Sequence, residues 1–180
     1  MAEETIIDFL TGKRLPDTDM ERLRQRVARF LVEEKGYNRS DIEVKTTLET
    51  TVDNKKIVFS IDYIIRLEGK RLVLINCFPT ALVTREKLTL ACARLLDDYQ
   101  IPFTVITDGF ATEVFDTVSG KELANDLNAI PDKNSLIKML PQIHFTSLPE
   151  ERKIKEKRIL AAFEMLKCPG SCKECSFSTS

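Results

Sequence analysis

The chain has 180 residues and a mass of 20.6 kDa, which suits one ordinary domain with a short appendage and excludes a multidomain motor. Hydrophobic residues make up 43% and charged residues 31%, a balance that buries a core and does not suit a largely disordered chain. Lys+Arg total 27 against 28 Asp+Glu, for a net charge of -1, so affinity for nucleic acid must come from a local basic stripe rather than bulk attraction.

The first long element opens at Thr18-Asp19-Met20-Glu21, a capping-box pattern, and Met20, Leu23, Val27 and Phe30 then recur at helical spacing up to Gly36. A helix is expected over 18–35. Arg22, Arg26 and Arg29 fall on its other side. They form either a solvated face or a phosphate-contacting stripe. High β-branched content from Ile42 to Val52, a turn at Asp53-Asn54-Lys55, alternation from Ile57 to Leu67, a turn at Glu68-Gly69 and an apolar run from Leu72 to Phe78 predict a three-stranded meander. Thr84 is expected to cap a helix with Leu88, Ala91, Cys92, Leu95 and Tyr99 on its apolar face.

Beyond Pro102, Phe103 to Thr107 reads as a buried strand, Asp108-Gly109 as a turn and Thr112 to Asp116 as a returning strand. Two weaker helices are expected over Lys121 to Leu127 and Lys133 to Leu140, and Ser147-Leu148-Pro149-Glu150 caps a charged helix reaching about Lys167. The expected division is a domain over 1–140, a linker over 141–149 and an appendage over 150–180. No apolar run is long enough to span a bilayer, and the N-terminus lacks the pattern of a signal peptide, so the expected location is the cytoplasm.

Asp62 interrupts the apolar strand Ile57 to Leu67, on the side that includes Val58, Ser60 and Ile64. A carboxylate buried there needs a partner or a metal, whereas one at a strand end is simply solvated. The segments Phe30-Leu31-Val32-Glu33-Glu34-Lys35-Gly36-Tyr37, Ser60-Ile61-Asp62-Tyr63-Ile64-Ile65, Leu72-Val73-Leu74-Ile75-Asn76-Cys77-Phe78-Pro79, Pro102-Phe103-Thr104-Val105-Ile106-Thr107-Asp108-Gly109 and Val114-Phe115-Asp116 occur in order and at intervals that resemble a known family. That family is the N-terminal nuclease-type domain of type I restriction enzyme R subunits, a branch of the PD-(D/E)XK superfamily. The resemblance covers roughly residues 18–122. It implies an α/β restriction-endonuclease-like core, a central mixed β-sheet with flanking helices in α-βββ-α-ββ order, here followed by a C-terminal helix and a Cys-rich tail.

In that family an Asp on the second strand and a Glu-x-Lys on the third converge on Mg²⁺ and the attacking water. Residues i and i+2 of a strand share a face, so one segment presents a carboxylate to the metal with an ammonium beside it. Asp62 falls on the Asp position, but the Glu-x-Lys position reads Asn76-Cys77-Phe78. Asn offers a neutral carbonyl oxygen; Phe offers neither donor nor charge. The family's Gln and, four residues on, Tyr appear as Ala91 and Leu95. Glu21 lies where many relatives carry a metal-contacting helix acid, and it is also the N3 member of the capping box. The resemblance therefore implies a degenerate site in a DNA-associated binding or scaffolding protein, acting alone or with a protein partner and not at a membrane. The alternative is an active Mg²⁺-dependent endonuclease whose acid and lysine have migrated to Glu86 and Lys87, in the first turn of the following helix.

The five cysteines include Cys168, Cys172 and Cys175, at x3 and x2 spacing with Pro169 and Gly170 between the first two. In a reducing compartment this spacing suits zinc or an iron-sulfur cluster. The fourth ligand would be Cys77, Cys92, His144 or a partner's residue; the bland reading is a tail of free thiols. A metal- or redox-dependent interaction protein is thus a third functional class. Arg152, Lys153 and Lys155 make the final helix either a solvated face or a second phosphate-contacting surface. Among the six glycines no Gly-x4-Gly-Lys-Ser/Thr motif occurs, so the chain carries no P-loop motor.

Overall fold

A computed structural model describes residues 4–79 and 82–166. Among the described residues eight strands and four α-helices follow in the order β1 (Thr5–Ile7), β2 (Arg14–Pro16), α1 (Asp19–Glu33), β3 (Ile42–Val52), β4 (Lys55–Leu67), β5 (Lys70–Cys77), α2 (Leu82–Leu95), β6 (Phe103–Thr107), β7 (Ala111–Asp116), β8 (Lys121–Asp126), α3 (Lys133–Met139) and α4 (Glu150–Leu166). Strands β3 to β8 form one six-stranded sheet in sequence order. Only β5 and β6, joined through α2, run parallel; the other neighbours are antiparallel, which makes the sheet mixed. This is the expected α/β architecture with flanking helices.

Thr18 caps α1, its hydroxyl accepting from the Glu21 amide at 3.1 Å. The helix stops where Gly36 takes φ +73°, a conformation that costs glycine little. One face of the sheet buries Leu23, Val27 and Leu31 of α1 against Tyr63, Ile65, Val73, Ile75 and Val105. The other face buries Leu88 and Ala91 of α2 and Leu160 of α4 against Ile57, Phe59, Ile61, Ile64 and Leu74. Leu72, Leu74 and Ile75 have no exposure, and each such side chain contributes about 2 kcal/mol of burial. Covered on both faces, β5 reads as a continuous apolar run.

Odd-numbered residues of β4 change faces between Ile61 and Tyr63: Ile57, Phe59 and Ile61 pack with α4, and Tyr63, Ile65 and Leu67 with α1. Lys45, opposite Asp62 between the pairs Val44↔Tyr63 and Thr46↔Ile61, takes φ +53°, which breaks the regular pleat at the same level. Asp62 therefore does not continue a side running through Val58 and Ser60. Those two are exposed, whereas Asp62 is buried.

Three further expectations are corrected. Lys121–Asp126 is an edge strand paired with β7, not a helix, and its exposed charged residues suit a sheet edge. The α2 helix begins at Leu82, two residues before the expected cap Thr84. A hairpin of two three-residue strands, β1 and β2, precedes α1 where no strand was expected. Residues 141–149 cross from α3 to α4 with Leu148 buried and the Phe145 ring edge-on to Tyr99, centroids 4.9 Å apart. Among the described residues no helix is long and apolar enough to cross a membrane.

Candidate functional site

Strands β4 and β5 pair as far as Tyr63↔Ile75, and two side chains bridge the next level. Asn76 Oδ1 accepts from the Asp62 amide at 3.1 Å, and Asp62 Oδ2 accepts from the Cys77 amide at 2.8 Å. The remaining carboxylate oxygen, Oδ1, accepts from Arg24 Nε at 2.6 Å. Burial raises the Asp62 pKa above the usual carboxylate value, while the Arg24 charge and the Cys77 amide pull it back. The same burial, with the Asp62 charge adding to it, pushes the Cys77 thiol well up.

Helix α1 supplies the rest of the cluster. Glu21 turns its side chain inward: Oε1 accepts from Gln25 Nε2 at 2.8 Å, and Oε2 lies 3.6 Å from Arg24 Nη1 and 3.7 Å from Lys45 Nζ. Gln25 Nε2 also donates to Asp8 Oδ2 at 3.0 Å. Asp8 Oδ1 accepts from the amides of Leu10 and Thr11 and from the Thr11 hydroxyl. Burial opposes ionisation of Asp8, but these hydrogen bonds together outweigh it and hold its pKa below the ordinary value. The Tyr63 hydroxyl donates to the Arg24 carbonyl at 2.9 Å, anchoring the helix over the fork.

Sequence reasoning missed Arg24, Gln25, Lys45 and Asp8. Arg24 was legible in principle, since it lies four residues after Met20 and three before Val27, a cation on the apolar stripe. Lys45 carried no signal, because its place depends on an unusual φ within a strand. A non-glycine residue in that region costs about 1–3 kcal/mol and is found where surrounding structure enforces it, often at functional sites.

Phe78 continues beyond β5, its amide donating to the Thr107 carbonyl at 2.9 Å. With Asn76, Phe59, Ser60, Arg85, Leu88 and Cys92 it lines a pocket of about 280 Å³. The Arg85 guanidinium stands 5.4 Å from the Phe78 ring centroid. Glu86 and Lys87 are not among the residues lining this pocket. Glu86 is instead near Glu113, whose carboxyl is pushed up by burial and by the charges of Glu122 and Glu86.

The two basic stripes sit over opposite faces of the sheet, one on α1 and one on α4. Arg22 pairs with Asp17 at 2.6 Å, Arg29 lies 3.8 Å from Glu33, and Arg26 lies over the Phe110 ring. On α4, Arg152 and Lys155 are exposed, and Lys153 pairs with Glu150. Cys77 and Cys92 are buried thiols in the clusters on opposite faces of the sheet. His144 is exposed. Cys168, Cys172 and Cys175 lie outside the described residues.

Among the described residues no group of three or more His, Cys, Asp or Glu side chains is placed to hold a metal. Mg²⁺ takes oxygen ligands in near-octahedral geometry, and at the fork the side-chain oxygens of Asp62, Glu21 and Asn76 are already engaged by protein groups. Asp62 and Glu21 are charge-compensated by Arg24 and Lys45, and the Asn76 carbonyl oxygen is taken by a backbone amide.

The family of the type I restriction enzyme R protein N terminus (HSDR_N) matches residues 19–131, from the first residue of α1 through the sheet to the approach to α3. The chain belongs to that family. The matched span contains every member of the fork cluster except Asp8, which the N-terminal hairpin contributes. No curated protein and no solved structure matches the chain.

Proposed function

We propose that this HSDR_N protein is a nucleic-acid-associated, nuclease-like module that holds DNA without hydrolysing it. Membership of the restriction-enzyme family supports the association with DNA. The observation that carries the loss of hydrolysis is the fork: Asn76 accepts the Asp62 amide hydrogen, and Asp62 is held by Arg24 and Cys77. Phosphodiester hydrolysis needs an activated water and a group that meets the charge developing on phosphorus oxygens. In a restriction-endonuclease-like arrangement the lysine position falls on Phe78, whose ring supplies no proton and no charge. The compensated Asp62, and a pocket beside Phe78 that neither Glu86 nor Lys87 lines, favour this reading over migration of the site to those two residues.

The division into a core over 1–140, a connection over 141–149 and an appendage over 150–180 belongs to the same proposal, with Cys168, Cys172 and Cys175 as holders of zinc or an iron-sulfur cluster. A colourless, metal-free preparation made anaerobically would refute the metal part alone. The test of the main reading is titration of the full chain with a short labelled duplex at several salt concentrations. The expected result is retention that weakens steeply with salt, since each phosphate neutralised contributes about 0.9 to the logarithmic slope. Replacing Arg22, Arg26 and Arg29 together by Ala, or Arg152, Lys153 and Lys155 together, reports which sheet face meets the duplex. Failure of the wild type to retain any duplex at low salt would overturn the reading.

A further inference from the structure

The turn between β6 and β7 exposes Phe110 to 78%, more than any other large hydrophobic side chain among the described residues. The turn is fixed from several sides. Asp108 Oδ1 accepts from the amides of Phe110 at 2.8 Å and Ala111 at 2.7 Å, and Thr107 Oγ1 accepts from the Gly109 amide at 2.9 Å. Gly109 takes φ +86°, and a Cβ there would lie 2.7 Å from Leu23 Cδ1, so the turn rests directly on α1. The ring is therefore held out in water by a well-braced turn, in contact with the Arg26 guanidinium and away from the hydrophobic core clusters.

Arg26 lies over one face of the ring, its guanidinium carbon 4.5 Å from the centroid, and the 78% exposure of Phe110 leaves the other face to solvent. Arg26 is the member of its stripe that has no carboxylate partner among the described residues, whereas Arg22 and Arg29 pair with Asp17 and Glu33. Phe9 makes an instructive contrast: two guanidiniums, of Arg29 and Arg39, lie 4.6 Å from its centroid, and the ring is half-buried against the core. Phe110 has one such neighbour and open solvent. The acid of the turn, Asp108, has Oδ1 engaged by two amides.

We infer that Phe110 is a stacking platform for an unpaired nucleobase, with Arg26 meeting the adjoining phosphate. This rests on the DNA-associated reading and adds a preference for single-stranded or splayed nucleotides. An aromatic ring with a guanidinium on one face and the other face open is the chemistry that holds such bases regardless of sequence. Phe110 and Arg26 come from elements more than 80 residues apart, and the close seat of Gly109 on Leu23 brings them together.

The test uses the full chain with a labelled oligothymidylate and, separately, a blunt duplex. A second oligothymidylate carries 5-iododeoxyuridine for photocrosslinking. Phe110→Ala is expected to weaken oligothymidylate binding about tenfold or more, to leave the duplex nearly unaffected and to abolish a crosslink that peptide mapping places at Phe110 in the wild type. Phe110→Tyr is expected to restore binding and crosslink, which separates stacking from damage to the fold. Equal oligothymidylate affinity for wild type and Phe110→Ala, with duplex still retained, would overturn this inference and leave the DNA-associated reading standing. Binding of neither nucleic acid by the wild type overturns both. Loss of binding to anionic phospholipid vesicles in Phe110→Ala, with oligothymidylate affinity unchanged, would assign the ring to a membrane surface instead and overturn the inference.

Discussion

Arg24 Nε and Asp62 Oδ1 meet at 2.6 Å, 38 residues apart in sequence, where α1 crosses the fork between β4 and β5. Burial raises the pKa of that carboxylate, and the Arg24 charge and the Cys77 amide pull it back. Removing the guanidinium leaves that buried carboxylate with the Cys77 amide and without the cation it pairs with. Arg24→Met is therefore expected to lower unfolding free energy by about 3 kcal/mol, and Asp62→Asn in the same chain to restore part of it. Urea titration of the double-mutant cycle measures both. A group whose folded pKa lies above its unfolded value stabilises the fold when protonated, and the benefit fades as pH rises through the folded value. Stability of Arg24→Met should accordingly fall more steeply than that of wild type as pH rises from 3 toward neutrality, the lower bound lying just under the usual Asp value of about 3.9.

Asp8 has the opposite sign. Its folded pKa is held below the ordinary value of 3.8 by the hydrogen bonds from Thr11, Gln25 and Leu10. The stability it supplies is present above that value and is lost as pH falls through the folded one. Asp8→Asn is expected to cost about 1 kcal/mol at pH 7, with the gap from wild type closing in the acid range below 3.8. Thermal melts across pH 2–7 check the convergence, the window being chosen to bracket the usual Asp value of about 3.9.

Gly109→Ala meets two obstacles at once, a φ of +86° and the Leu23 methyl 2.7 Å from the new Cβ. It is expected to destabilise by about 2 kcal/mol. Leu23→Ala removes the clash but also a buried core side chain, so the backbone strain is read against Leu23→Ala alone, and the double variant should be the less stable of the two in a urea melt.

Leu160 of α4 has no exposure and packs with Ile57, Phe59, Ile61 and Leu88. Leu160→Ala is expected to lower stability by about 3 kcal/mol, read by chemical unfolding. A helix hanging free of the sheet would show almost no change. The buried pair of Arg94 Nη1 with Glu156 Oε1 at 2.8 Å argues for the docked arrangement as well.

The meander β3 to β5 was legible because its turns carry residues that take left-handed conformations, Asp53, Asn54, Glu68 and Gly69, between β-branched runs. Strand β8 was not. Its residues, Lys-Glu-Leu-Ala-Asn-Asp, include strong helix formers, and pairing with β7 overrides their propensity. The hairpin β1–β2 was too short to show alternation. At the fork, Asp62 stood out as a polar break in an apolar strand and proved buried. Its partner did not stand out. The exposed arginines at positions 22, 26 and 29 formed the obvious pattern, and Arg24 lay outside that stripe.

The central claim, DNA held but not cut, is tested most directly by incubating the full chain in excess over a labelled duplex with Mg²⁺ or Mn²⁺ and following both retention and strand length. The account predicts a retained duplex of unchanged length at every time point. Metal-dependent shortening that Asp62→Ala abolishes would contradict it.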